Sequence, residues 1–102
     1  MEKIKQVMQI LEDLKVKDIV GYDFEGASPF YDYFVIGTVN DRQAAAVANK
    51  IKADKTLNLK SVEGKGSGWL LIDLHDVIIH LFKDAERNFY DFDRRLIGIK
   101  QV

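Results

Sequence analysis

The sequence predicts a single α/β domain with elements in the order α, β, β, α, β, β, β, α. Three observations carry this prediction. An amphipathic helical stripe opens the chain, a period-two pattern fills its second half, and two strong apolar strands there are separated only by His75-Asp76. A length of 102 residues suits one domain over residues 1–102, because domains cluster near roughly 100 to 150 residues and a second core would have too few residues to close. With 47% hydrophobic residues and one proline, the composition is that of a folded domain and not of a disordered tail.

Taken in order, Ile4, Val7, Met8, Leu11 and Leu14 place one apolar stripe on a helix of about three turns. Lys17 and Asp18 break that pattern, and Ile19 to Phe24 reads as a strand ended by Gly26 and the Ser28-Pro29 turn signal. Tyr31 to Thr38 is the next strand. Its consecutive apolar residues Phe34, Val35 and Ile36 predict burial on both faces and a central position. Asn40 and Gln43 stand in a capping-box relation at the start of a second helix, with Ala44, Val47, Ala48 and Ile51 as its buried stripe. Ala44 to Ala46 are small enough for close packing on a sheet. Leu59 to Glu63 is a strand, Gly64 to Gly68 a turn, and Trp69 to Leu74 and Val77 to Phe82 two further strands. Asp84 then caps a last helical turn or two, with Ala85, Phe89, Phe92 and Leu96 sharing a face.

A hairpin centred on His75-Asp76 pairs Leu74 with Val77, Asp73 with Ile78, Leu71 with His80 and Trp69 with Phe82. One face is then Leu70, Ile72, Leu74, Val77, Ile79 and Leu81, wholly aliphatic, and must pack under the helices. The other carries Trp69, Leu71, Asp73, Ile78, His80 and Phe82. That mixture suits an open partner-binding patch with an aromatic anchor.

Composition excludes several chemistries. Without cysteine there is no disulfide, thiolate zinc site, iron–sulfur ligation or Cys nucleophile. His75 in a turn and His80 in mid-strand do not converge with other ligands, so no metal site and no cofactor are expected. Asp73 and His80 are diagonal neighbours that could share a structural hydrogen bond or act as base and orienter. Ser67 is the only nearby nucleophile, and it stands on the order of 13 Å along the strand from the pair at about 3.4 Å per residue. Gly64-Lys-Gly-Ser-Gly68 precedes a strand and not a helix, so it reads as a hairpin turn and not as a phosphate loop. A formal charge of −1 argues against direct nucleic-acid binding as the main contact. No early apolar h-region and no long apolar run occur, and a soluble, unprocessed, cytoplasmic chain is expected.

Several separated segments, taken together, resemble the ribosomal silencing factor family, also called Iojap or RsfS. They are Trp69-Leu-Leu-Ile-Asp73-Leu-His-Asp76-Val-Ile-Ile-His80, the preceding Glu63-Gly64, the following Tyr90-Asp-Phe-Asp-Arg-Arg-Leu96, and the stretches Asp32-Tyr-Phe-Val-Ile36 and Asp41-Arg-Gln43. The similarity runs from about Leu14 to Leu96. Two departures stand out: Gly37-Thr-Val-Asn40 is shorter than the family's Gly/Thr/Ser-rich stretch, and Ile97 follows Leu96 where the family often has tryptophan.

The resemblance implies a two-layer α/β sandwich, a mixed five-stranded sheet with helices on one face, related to nucleotidyltransferases. It further implies a non-enzymatic repressor of translation that docks on large-subunit ribosomal protein number fourteen and hinders joining of the small subunit. The chain lacks the Gly-Ser helix start and paired aspartates that would hold Mg²⁺ in a working nucleotidyltransferase, since Asp23 and Asp32 are separated by a turn. On this reading the partner-binding residues are Trp69, Asp73, His80, Phe82, Glu86 and Tyr90, and Trp69→Ala should weaken docking while leaving the fold intact. An exposed aromatic face could also pair with itself as a homodimer. The alternative is a small metal-dependent nucleotidyltransferase or hydrolase using Asp73 and His80.

Overall fold

The computed structural model describes residues 2–102. Its elements are α1 (Glu2–Asp13), β1 (Lys17–Asp23), β2 (Tyr33–Thr38), α2 (Asp41–Ala53), a short 3-10 turn (Lys55–Leu57), β3 (Ser61–Glu63), β4 (Trp69–Asp73), β5 (Val77–Phe82), α3 (Asp84–Tyr90), α4 (Phe92–Arg95) and β6 (Lys100–Gln101). The predicted hairpin forms in the predicted register, with Trp69 opposite Phe82, Leu71 opposite His80 and Asp73 opposite Ile78. Its two-residue turn closes through Leu74 N–H donating to the Val77 carbonyl at 2.9 Å. His75 takes a left-handed φ of 73°, and its N–H donates to Asp73 Oδ1 at 2.7 Å. A short polar side chain thus offers the turn backbone a local partner.

The strands form one mixed sheet in the order β3-β4-β5-β2-β1-β6, with β2 and β5 parallel and the other neighbours antiparallel. β2 is interior and Phe34, Val35 and Ile36 are buried, as their consecutive apolar positions predict. The sheet has six strands and not five, because Lys100–Gln101 pairs with Tyr22 and Asp23 of β1. A two-residue exposed strand carries no period-two signal, so only its tertiary pairing reveals it.

All six aliphatic hairpin residues, Leu70, Ile72, Leu74, Val77, Ile79 and Leu81, join one core with Ile4, Val7, Leu11, Val47 and Ile51 of α1 and α2. The capping box at Asn40 is complete: its side chain accepts from Gln43 N–H at 2.8 Å and its own N–H donates to Gln43 Oε1 at 3.0 Å. Gln43 Nε2 also donates to the Lys15 carbonyl at 2.8 Å, which ties the start of α2 to the end of α1.

The second face differs from the expectation of helices on one side only. α3 and α4 fold over it, and Phe92 and Leu96 pack with Tyr22, Phe34, Ile36, Ile78 and Phe82. The expected shared stripe through Ala85, Phe89, Phe92 and Leu96 does not form, because Asp91 adopts a left-handed φ of 48° and breaks the helix between Phe89 and Phe92. Asp84 is the first helical residue and not the cap, and Lys83 at the cap position makes no side-chain capping bond.

Arg87 clamps this lid. Its Nε and Nη2 donate to the two Asp93 carboxylate oxygens at 3.1 Å each, and Nη1 donates to the Asp18 carbonyl and to Thr38 Oγ1 at 2.8 Å each. Tyr22 lies beneath, where burial and then the Asp93 carboxylate push its phenol above the ordinary value. Arg87→Met should cost on the order of 1 kcal/mol, since it removes the donor to the buried Thr38 hydroxyl and to the half-buried Asp93 carboxylate. Amide hydrogen exchange should accelerate most across Asp84–Arg95; unchanged exchange there would show that the aromatic contacts alone hold the lid.

Candidate functional site

Period two in β4 and β5 places Trp69, His80 and Phe82 together on the second face. Trp69 Nε1–H donates to His80 Nδ1 at 3.1 Å, so that nitrogen must carry the lone pair and the imidazole is neutral with its proton on Nε2. His80 is only 3% exposed, and Nε2 has no hydrogen-bond partner among the described residues. Its ring lies 4.5 Å from that of Phe34 and 4.8 Å from that of Phe92, centroid to centroid. Burial in this aromatic box lowers its pKa from 6.5 to about 4.

Neither alternative for Asp73 and His80, a shared structural hydrogen bond or a base–orienter pair, is realised. Asp73 serves the hairpin turn through His75 N–H, with Lys60 Nζ 3.9 Å away. Neither a base–orienter pair nor a group of three His, Asp or Glu side chains placed for a metal is assembled among the described residues. Ser67 Oγ donates to the Gly64 carbonyl at 2.6 Å and stabilises its own turn.

What reaches the surface is an aromatic ladder. Half-buried Trp69 contacts Tyr90 at a ring separation of 4.9 Å, and Tyr90, 38% exposed, meets Phe89 edge-on at 5.2 Å. Phe89 is 81% exposed. Glu86 flanks the ladder by folding over Gly68, whose φ of +85° favours glycine and whose missing Cβ leaves room for the Glu86 carboxylate end.

Of the residues picked from sequence, the structure brings Trp69, Glu86 and Tyr90 together at the surface. Phe82 is fully buried and His80 nearly so, which corrects the expectation that both line an open face: they support the patch from beneath. Asp73 stands at the far end of β4. Trp69 touches four rings and donates the bond to His80, so its truncation would damage the fold as well, contrary to the expectation of an intact Trp69→Ala variant. The spacing of Phe89 from Phe92 places the two on one helical face, whereas in the fold Phe89 is exposed and Phe92 packs on the sheet. The only local hint against a shared face was Asp91, one of the few residue types that tolerate the left-handed region. Phe30, also 82% exposed, gave no signal beyond its place in a turn.

Fold and site together define a one-sheet α/β protein that displays an aromatic surface on a buried aromatic support. The model of the family described as "Ribosomal silencing factor during starvation" matches residues 1–95. Ribosomal silencing factor RsfS of Bacillus subtilis is 39% identical over 88 residues, spanning 81% of this chain and 75% of that protein. RsfS of Halalkalibacterium halodurans is 30% identical over 98 residues, spanning 91% and 84%. A crystal structure of a Chromobacterium violaceum protein superposes with a TM-score of 0.80 at 30% identity, covering 89% of this chain and 80% of that one. One from Bacillus halodurans gives 0.77 at 28%, covering 91% of each chain. The chain belongs to the ribosomal silencing factor family.

Neutral His80 makes stability depend on pH. Its folded pKa of about 4 lies below the ordinary 6.5, so the unfolded chain takes up the proton first as pH falls. The stability contributed by the neutral ring is complete above pH 6.5, is lost as pH falls to about 4, and levels off below that. A loss of about 3 kcal/mol is expected over the window. Urea unfolding of the native chain and of His80→Phe across this range checks it, since the variant should lack the increment.

Proposed function

We propose that the chain silences ribosomes by occupancy, docking its Trp69–Tyr90–Phe89 ladder on large-subunit ribosomal protein number fourteen and so blocking association with the small subunit. The observation that carries this reading is the exposure of Phe89 and Tyr90 on a supported tryptophan. An interface keeps its energy in such anchored aromatic side chains, whose few rotatable bonds lose little entropy on binding. The recess beside α3 is lined by Asp18, Asp84, Asp91 and Asp93; Asp93 is paired with Arg87 and Asp91 with Arg94, and the remaining Asp18 and Asp84 make its surface favour a basic partner. Occupancy of an ordinary interface, roughly 1,200 to 2,000 Å² in total, needs no chemistry. The chain therefore acts in the cytoplasm as a binder and not as an enzyme, and the nucleotidyltransferase-like character implied by the resemblance is one of scaffold alone. At high concentration the same patch can pair two copies, and such a dimer would have to open before docking.

Sucrose-gradient sedimentation with purified subunits tests the proposal. The native chain should travel with the large subunit and deplete joined ribosomes. Phe89→Ser combined with Tyr90→Ala removes the exposed Phe89 ring and the Tyr90 ring that rests on Trp69, and should lower co-sedimentation at least about tenfold, a loss of roughly 1.4 kcal/mol or more. Undiminished binding by the variant would move the docking surface elsewhere, and migration with the small subunit would overturn the proposal.

A further inference from the structure

We propose that the recess between α2 and the Gly64–Gly68 turn is a binding site for a small organic anion with an apolar body. It encloses about 330 Å³, within the size range of small-molecule sites. Ala44 and Ala48 stand one helical turn apart on α2 and form one wall, while Leu70 and Leu81 of the hairpin form the floor. Larger side chains at the two alanines would fill the space; Ala44 is half-buried and Ala48 buried, so the recess is shallow over a floor that belongs to the core.

The rim is cationic. Lys52 continues the alanine face of α2, Lys65 projects from the turn, and Lys83 follows β5. Lys83 pairs with Asp41 at 3.0 Å, whereas Lys52 and Lys65 have no ion-pair partner among the described residues. Three lysines against one aspartate give a locally positive opening on a chain whose net charge is −1. The acidic recess beside α3 has the opposite sign, so an anion favoured here is disfavoured there. An inorganic anion would leave the apolar floor unused, and an uncharged ligand would leave two lysines without counter-charge. Both features are satisfied together by one molecule that joins an apolar body to a carboxylate, sulfonate or phosphate.

Anilinonaphthalene sulfonate is the probe, titrated into the folded full chain by fluorescence and mapped by amide NMR shifts. Saturable binding is expected, with shifts concentrated at Ala44, Ala48 and Gly66. Lys52→Glu combined with Lys65→Glu should weaken it about tenfold, the equivalent of roughly 1.4 kcal/mol. Ala48→Phe should abolish it by filling the recess. Ala45→Trp, at an exposed position on the same rim, should do so without entering the core. Inorganic phosphate and naphthalene methylammonium separate charge from apolar contact, and neither should compete effectively. Shifts centred on Phe89 and Tyr90, equal binding of the cationic naphthalene, or affinity indifferent to both the lysine and the Ala45 variants would each overturn the proposal. None of these readouts involves ribosomes, so they stand or fall apart from the docking reading.

Discussion

The register of β4 against β5 is the constraint on which the rest of the molecule depends. Successive side chains on a strand alternate faces, so a slip of β5 by one residue would carry His80 into the aliphatic core and move Ile79 to the aromatic side. A single short turn holds the pairing in place. Asp73 bonds the His75 N–H within it, and the Asp76 carbonyl at its end accepts from the N–H groups of Asp32 and Tyr33, where the parallel pairing of β2 and β5 begins. Lys3 adds the start of α1 by donating to the Leu74 carbonyl and to Asp76. Asp73, whose position suggested chemistry or binding, is thus part of the device that sets the sheet's sidedness.

From that sidedness follows the aromatic layer. Trp69 stands between interior and surface: its indole N–H satisfies buried His80, and its ring faces Tyr90. Neutral His80 is tolerated because one nitrogen is paired and the charged form is excluded by burial. The lid that encloses it is held by both apolar and charged contacts, Phe92 and Leu96 against the sheet and Arg87 across to Asp93, Thr38 and Asp18. A patch mounted on such a support loses little conformational freedom when a partner binds, and rigidity of this kind raises affinity without enlarging the interface.

Charge is organised on a finer scale than the near-neutral total suggests. Lysines gather round the recess beside α2, and aspartates gather beside α3 on the opposite side of the sheet. A net charge of −1 limits broad attraction to nucleic acid, yet leaves room for two surfaces of opposite local sign. The two faces of one sheet therefore differ in local charge, and Trp69 lines the lysine-rimmed recess while its ring meets Tyr90 of α3.

Local pattern was enough for the hairpin register, the aliphatic face, the central position of Phe34-Val35-Ile36 and the Asn40–Gln43 cap. Each depends on residues a few positions apart, or on the strict alternation of a strand. The motifs in β4 and β5, together with those around them, were also enough to indicate the ribosomal silencing factor family. Only the folded chain decided that the aromatic face is covered, that β6 adds a sixth strand, and that Phe89 points outward while Phe92 points in. Alternation specifies which residues share a face, but what covers that face depends on contacts between segments far apart in the chain. At Asp91, one left-handed residue was enough to turn an apparent helical stripe into a buried half and an exposed half.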